Sequence, residues 1–221
     1  LEEIAVDLVE HFANRGFLGK GMYVAIDKAT AVRMYDLVSA EWSRAISRLE
    51  AEIEALPQLE RAAKEYQLRW MRETDMAVVV SQAQNEVADM ADLGLDIAPH
   101  RRKMNDEDLD SRFKGSDDPF RLVFVCAMWL TGFDAPSTST IYLDKPMRGH
   151  TLMQTIARAN RVFPDKDNGL IVDYIGVFRN LEKALAIYGV DRSGDIGSPI
   201  QPTDDLRGAL DAALAEAEDY L

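Results

Sequence analysis

Cys126 is the only cysteine in 221 residues. A disulfide scaffold and a cysteine-based zinc site are therefore excluded, and a reducing compartment fits. The histidines, His11, His100 and His150, lie far apart and form no metal-ligand spacing. Long apolar runs are missing too. The best one, Leu122–Leu130, is nine residues long, against the ~18–20 needed to cross a membrane. Positive charge is scarce: 25 Lys and Arg face 38 Asp and Glu, a formal net charge of −13. Such a chain repels a polyanion unless its basic residues gather on one face, which argues against a free-standing nucleic-acid binder. No signal-peptide pattern is visible at the start, where a helical pattern is already running near Leu1. The expectation is a piece of a longer protein.

What is present is an ordinary globular mix, 47% hydrophobic and 29% charged. Ile4, Leu8 and Phe12 recur at helical spacing. Met22–Ile26 is a short apolar run that reads as a buried strand, followed by a helical pattern from Lys28 to about Val38. Ala40–Thr74 is rich in Glu, Arg, Ala and Leu and is interrupted by Pro57. It predicts two long helices with a bend at the proline, a solvated hairpin rather than a DNA-contacting arm. Met76–Val80 predicts a second strand. Asp89–Pro119 predicts a long irregular connection with one short helix around Asp106–Phe113. Leu122–Cys126, Thr140–Leu143 and Gly169–Asp173 predict three more strands. Thr151–Asn160, Leu181–Tyr188 and Asp204–Leu221 read as helices. Short continuous apolar strands alternating with helices predict an α/β fold, a mostly parallel sheet with helices on both faces. Ligands of such sheets gather beyond the carboxyl ends of the strands. Ser81, Thr131–Pro136 and Asp144-Lys145-Pro146 follow strands in that way.

A phosphate-binding P-loop needs Gly-x-x-x-x-Gly-Lys-Ser/Thr after a strand. Gly16–Gly21 has the wrong spacing and precedes a strand, so it is rejected. The lone thiol lies inside an apolar strand, where a nucleophile has no base. In Thr131-Gly132-Phe133-Asp134-Ala135-Pro136, Gly132 permits close backbone approach to a ligand. Thr131 offers a hydroxyl and an N–H to a phosphate, and Asp134 can accept from a ribose hydroxyl or hold an arginine. The plain alternative is a loop with an Asx-type turn. In Gln154–Arg161, Arg158 and Arg161 are three residues apart and share one helix face, with Gln154 one turn earlier. Two planar guanidinium forks suit a polyphosphate, and the plain alternative is a pair of surface ion pairs. The basic run His100-Arg101-Arg102-Lys103 either tracks phosphates or pairs with the acids of Asp106–Asp110.

Taken together and in order, these segments resemble the second RecA-like domain of superfamily 2 helicases and translocases. Met22–Lys28 resembles motif IV and Thr131–Pro136 motif V. Gln154–Arg161 resembles motif VI, with Ala157 in place of the usual glycine. Phe124–Pro136, Tyr142–Pro146, Leu152–Gln154, Ala159–Val162 and Gly169–Tyr174 are similar to the motor (R) subunit of type I restriction enzymes. The similarity runs from about Lys20 to Tyr188.

The resemblance implies a DNA translocase driven by ATP. A first RecA-like domain would hold ATP and Mg2+, and this one would supply Arg158 and Arg161, with Arg161 as the finger. Gln154, Gly132 and Asp134 would lie against the nucleotide or the closing domain. Thr131, Ser81, Arg101 and Arg102 would contact DNA. Partners would be DNA, the first motor domain and the methyltransferase and specificity subunits, in the cytoplasm and without a membrane. The motor domain would span residues 1–190, with a helical insertion at about 40–75, and a linker and the start of a helical region would follow at 191–221. No endonuclease core is visible, and the chain alone is expected to be inactive. The alternatives are another superfamily 2 motor, or a non-catalytic protein-interaction module with the same fold.

Overall fold

The computed structural model describes residues 1–15, 19–130, 132–147, 151–152, 154–155 and 169–178. All of them fall in the first of the chain's two units, Leu1–Arg179. Helix α1 (Glu2–Asn14) has Glu2 and Glu3 in its first turn, where the helix dipole favours anions. It buries Ala5, Leu8, Val9 and Phe12, the stripe that its periodicity predicts. Strand β1 (Lys20–Ala25) is buried throughout. Asp27 then caps helix α2 (Lys28–Ala55), accepting from the Thr30 N–H at 2.7 Å.

Helix α2 is one uninterrupted helix of 28 residues, which corrects the expected division near Val38–Ala40. Its buried stripe of Val32, Val38, Trp42, Leu49 and Ile53 continues across that point. The small polar Ser39 sits inside the helix, and its carbonyl accepts from the Ser43 hydroxyl. The expected break at Pro57 is present: a short 3-10 turn at Gln58–Glu60 leads into α3 (Ala62–Glu73).

Strand β2 (Asp75–Val79) follows. The connection after it is not irregular. It holds three short helices, α4 (Glu86–Asp92), α5 (Ala98–Asp106) and α6 (Leu109–Lys114). Their weak periodicity reflects how little each buries: Glu86 and Met90 on α4, His100 on α5, Leu109 and Phe113 on α6. Helices this short take their stability from tertiary contacts rather than from propensity. Strands β3 (Phe120–Val125), β4 (Thr138–Asp144) and β5 (Leu170–Asp173) complete the described elements.

The five strands form one sheet in the order β2-β3-β1-β4-β5, and every pairing is parallel. Tyr23 is aligned with Phe124 on one side and Tyr142 on the other. The parallel α/β sheet with helices around it is therefore the expected class. Side chains alternate between faces. Tyr23, Val78, Phe124 and Tyr142 join Leu8, Phe12, Val38 and Trp42 in one hydrophobic core. Met22, Val24, Val123, Val125, Ile141 and Leu143 occupy the alternate positions and are equally buried. Phe12, Trp42 and Trp70 meet with ring centroids 5.7–6.0 Å apart and join the first three helices. The Trp42 indole N–H donates to the Met71 carbonyl at 3.0 Å, which satisfies its one polar atom. Among the described residues no helix is long and apolar enough to cross a membrane.

Candidate functional site

The carboxyl ends of parallel strands share one edge of the sheet, where their last carbonyls lack strand partners. Lys145, directly after β4, fills this gap. Its ammonium donates to the Cys126 carbonyl at 2.7 Å and the Ile26 carbonyl at 3.3 Å, joining the ends of β3, β1 and β4. Beside it, the buried Tyr23 hydroxyl donates to the Asp144 carboxylate at 2.5 Å. Burial, and then that bond, pushes the Tyr23 phenol far above its usual range. Burial also raises the Cys126 thiol, partly offset by the Lys145 ammonium. Past β5, the Asp173 carboxylate accepts from the Ile175 and Phe178 N–H groups at 3.2 and 2.9 Å, shaping that turn.

Ser81 is exposed just past β2. Arg101 reaches the same place from α5. Its guanidinium donates to Glu86 at 2.7 and 2.8 Å, to the Val80 carbonyl at 3.0 Å and to the Ser81 carbonyl at 3.4 Å. Arg102, the next residue, is exposed. The neighbours in the basic run are engaged elsewhere. His100 is buried edge-on against Tyr35 at 4.6 Å, and Lys103 pairs with Asp75 at 2.5 Å. The ion pairs of this run are thus to Glu86 and Asp75, not to the acids of Asp106–Asp110 that one of the two alternatives named. Glu86 and Asp75 are distant in sequence from the run, so no local spacing announces them.

The segment after β3 returns the chain to the start of β4. Trp129 has φ +66° and Gly132 φ +72°, both in the left-handed region. A side chain at Gly132 would meet nothing within 4 Å, so the glycine serves the backbone conformation, not close packing. The Trp129 and Phe133 rings stack, with centroids 4.1 Å apart and planes 8° from parallel. Phe113 of α6 lies 5.5 Å from Trp129 and 6.2 Å from Phe133. Phe133 and Ala135 are buried, whereas Gly132 and Asp134 face solvent. One loop therefore presents Gly132 and Asp134 from an aromatic base. Gln154 is half-buried on a helical turn, next to the buried Thr155. Thr131, Arg158 and Arg161 lie outside the described residues, as do the helices expected at Leu181–Tyr188 and Asp204–Leu221.

Two features of this region escaped the reading of the sequence. The Lys145 bridge was signalled only by a lysine that directly follows a strand. The Trp129–Phe133 stack was signalled only by two aromatics flanking Thr131-Gly132. Among the described residues no group of three or more His, Cys, Asp or Glu is placed to hold a metal ion.

Residues 27–176 match the family model for type I restriction enzyme subunit R domain 3. The chain is 35% identical over 204 residues to the candidate type I restriction enzyme endonuclease subunit MjaIXP of Methanocaldococcus jannaschii. That alignment covers 91% of this chain and 16% of the relative. It is also 35% identical over 194 residues to the type I restriction enzyme HindI endonuclease subunit of Haemophilus influenzae, covering 85% of this chain and 16% of that protein. Among solved structures, a Dbp5 variant of S. cerevisiae bound to a Gle1 variant and IP6 is 14% identical, with a TM-score of 0.47. It is matched over 97% of this chain and 43% of its own. The chain thus spans about a sixth of the length of these curated relatives. With a family match over more than half of its length and most of its residues aligned to such subunits, the chain belongs to the type I restriction enzyme R subunit family, in the part described as domain 3.

Proposed function

We propose that this chain is the second RecA-like motor domain of an ATP-driven DNA translocase within a cytoplasmic type I restriction-modification enzyme. The observation that carries the reading is the family match over residues 27–176, which takes in both Thr131–Pro136 and Gln154–Arg161. The motor domain occupies 1–190, and 191–221 begins a separate helical region. ATP sits between this domain and a first motor domain of the same subunit, which holds most of the nucleotide and the Mg2+. Arg158 and Arg161 approach the phosphates, with Arg161 as the finger. Gln154, Gly132 and Asp134 line the nucleotide side of the cleft. The chemistry of this donor set fits that division: guanidinium forks and a backbone amide on an exposed loop suit phosphate oxygens. Thr131, Ser81, Arg101 and Arg102 are assigned to duplex DNA. Methyltransferase and specificity subunits complete the assembly.

An arginine finger acts on charge that develops in the transition state, so its loss lowers turnover more than affinity. Arg161→Ala in the intact subunit, assembled with its partners, is expected to lower DNA-stimulated ATP hydrolysis ~10³-fold or more while ATP binding falls much less. Arg161→Lys is expected to rescue incompletely, because a point charge does not reproduce a planar fork. Steady-state ATPase and nucleotide affinity on the same protein test this, and wild-type turnover in Arg161→Ala overturns the finger assignment.

A further inference from the structure

We infer that Trp129 and Phe133 are positioning residues that hold the Gly132–Asp134 loop in its working shape, an inference that rests on the motor reading above. Trp129 is a bulky residue at φ +66°, a conformation that L side chains rarely adopt and that persists only where the surroundings enforce it. The enforcing contact is visible. The Trp129 ring lies flat on Phe133 at 4.1 Å, and both rings pack against Phe113, which is fully buried.

The stack spans the loop. Trp129 stands before Gly132 and Phe133 after it, so the two rings flank a left-handed glycine that is itself open to solvent. Two further contacts brace this base. The Lys114 ammonium lies 5.1 Å from the Phe133 ring centre, and the Lys20 ammonium 5.4 Å from that of Phe113. Phe113 also packs against Phe120 at 5.1 Å, which ties the base to the start of β3. The loop is therefore anchored on both the helix before β3 and the strand itself. A glycine at position 129 would adopt the same backbone without strain. At Trp129 the contacts of the ring offset that strain.

The test compares Trp129→Phe, which keeps a stacking ring, with Trp129→Leu, which keeps apolar volume but cannot stack. Both are made in the intact subunit assembled with its partners, with Arg161→Ala alongside. Displacement of a catalytic loop by about 1 Å costs up to ~10²-fold in turnover, so Trp129→Leu is expected to lower DNA-stimulated ATPase by about that factor. Nucleotide affinity should fall much less, because the first motor domain holds most of the nucleotide, the thermal midpoint should be shared by the two variants, and Trp129→Phe should recover most of the turnover. Equal turnover in Trp129→Phe and Trp129→Leu overturns the positioning role. If Trp129→Leu does not fold, Phe133→Tyr and Phe133→Leu replace the pair, and failure of both leucine variants to fold also overturns it, since the rings then serve stability alone. Arg161→Ala separates the two claims. Lost turnover there with normal turnover in Trp129→Leu removes only the positioning role. Wild-type turnover in Arg161→Ala removes the finger assignment, and absence of DNA-stimulated hydrolysis in the unsubstituted assembly removes the motor reading itself.

Discussion

Arg101 and Glu86 form a two-pronged ion pair that closes the carboxyl end of β2, with Nε and Nη2 of the guanidinium 2.7 and 2.8 Å from the two carboxylate oxygens. Both side chains are largely withdrawn from water, 15% and 7% exposed. The second carboxylate oxygen also accepts from the Ala83 N–H at 3.0 Å. Removing one partner strands the other. Glu86→Ala is expected to destabilise the domain by about 3 kcal/mol, measured by denaturant unfolding. Arg101→Ala should cost a similar amount if its guanidinium serves the fold first. A stable Arg101→Ala protein with weakened DNA binding would instead assign the side chain to DNA.

Stability should fall on mild acidification. Burial lowers the pKa of both His11 and His100 from the ordinary 6.5, with Arg15 and Lys103 respectively adding to the effect. A folded-state pKa below the unfolded one means that the unfolded chain binds the proton more tightly. The stabilisation is then present above pH 6.5 and is lost as pH falls through the folded values. Denaturant midpoints at about pH 7.5 and about pH 5.5 should differ accordingly. His100→Gln should flatten the difference, and an unchanged slope would clear His100 of it.

Cys126 should resist alkylation in the native protein. It is buried, and that burial raises its thiol pKa. Lys145 donates to its carbonyl. Lys145→Met leaves two strand-end carbonyls without that donor and should cost about 1–3 kcal/mol. Because Cys126 is the only thiol, its iodoacetamide rate reports the loosening directly. Equal rates in wild type and Lys145→Met would show that the bridge does not hold the strand ends.

Gly19→Ala should be severely destabilising. Gly19 has φ +126°, and a Cβ there would fall 2.6 Å from the Ser139 Cβ and 3.2 Å from the Ser137 carbonyl. The strained backbone alone costs about 1–3 kcal/mol, before any collision is counted. Gly94→Ala, at φ +71° with nothing within 4 Å, should be milder. Thermal unfolding compares the two variants, and equal losses would show that the collision at Gly19 contributes nothing.

The 221-residue chain by itself should hydrolyse no ATP above background, and it should bind DNA weakly and in a salt-sensitive way. It contains no P-loop sequence, and its net charge of −13 opposes a polyanion. Robust DNA-stimulated hydrolysis by this chain would sink the shared-site reading.

The strands were legible because parallel strands buried on both faces read as short continuous apolar runs. Met22–Ala25, Met76–Val79 and Leu122–Val125 needed no partner to be recognised. The family resemblance was legible as well, because each segment that carries it is local in sequence. The undivided α2 was not, since a small polar residue at Ser39 resembles a boundary until the apolar stripe is followed past it. The helices α4 to α6 were hidden for the opposite reason: each buries too few residues to show a period.

By itself, the amino-acid order determined the parallel α/β class, the exclusion of metal and disulfide chemistry based on cysteine, and the segments worth examining. Partners distant in sequence were decided only by the tertiary structure. Charge in the basic run near Arg101 was visible, but its destination was not. Glu86 lies 15 residues from Arg101 and Asp75 lies 28 from Lys103, and only folding brings them within hydrogen-bond reach. The same holds for Lys145, whose acceptor on Ile26 is 119 residues away, and for Phe113 beneath the Trp129–Phe133 stack. Periodicity and propensity act over one or two turns of chain, whereas ion pairs and ring stacking depend on distance in space.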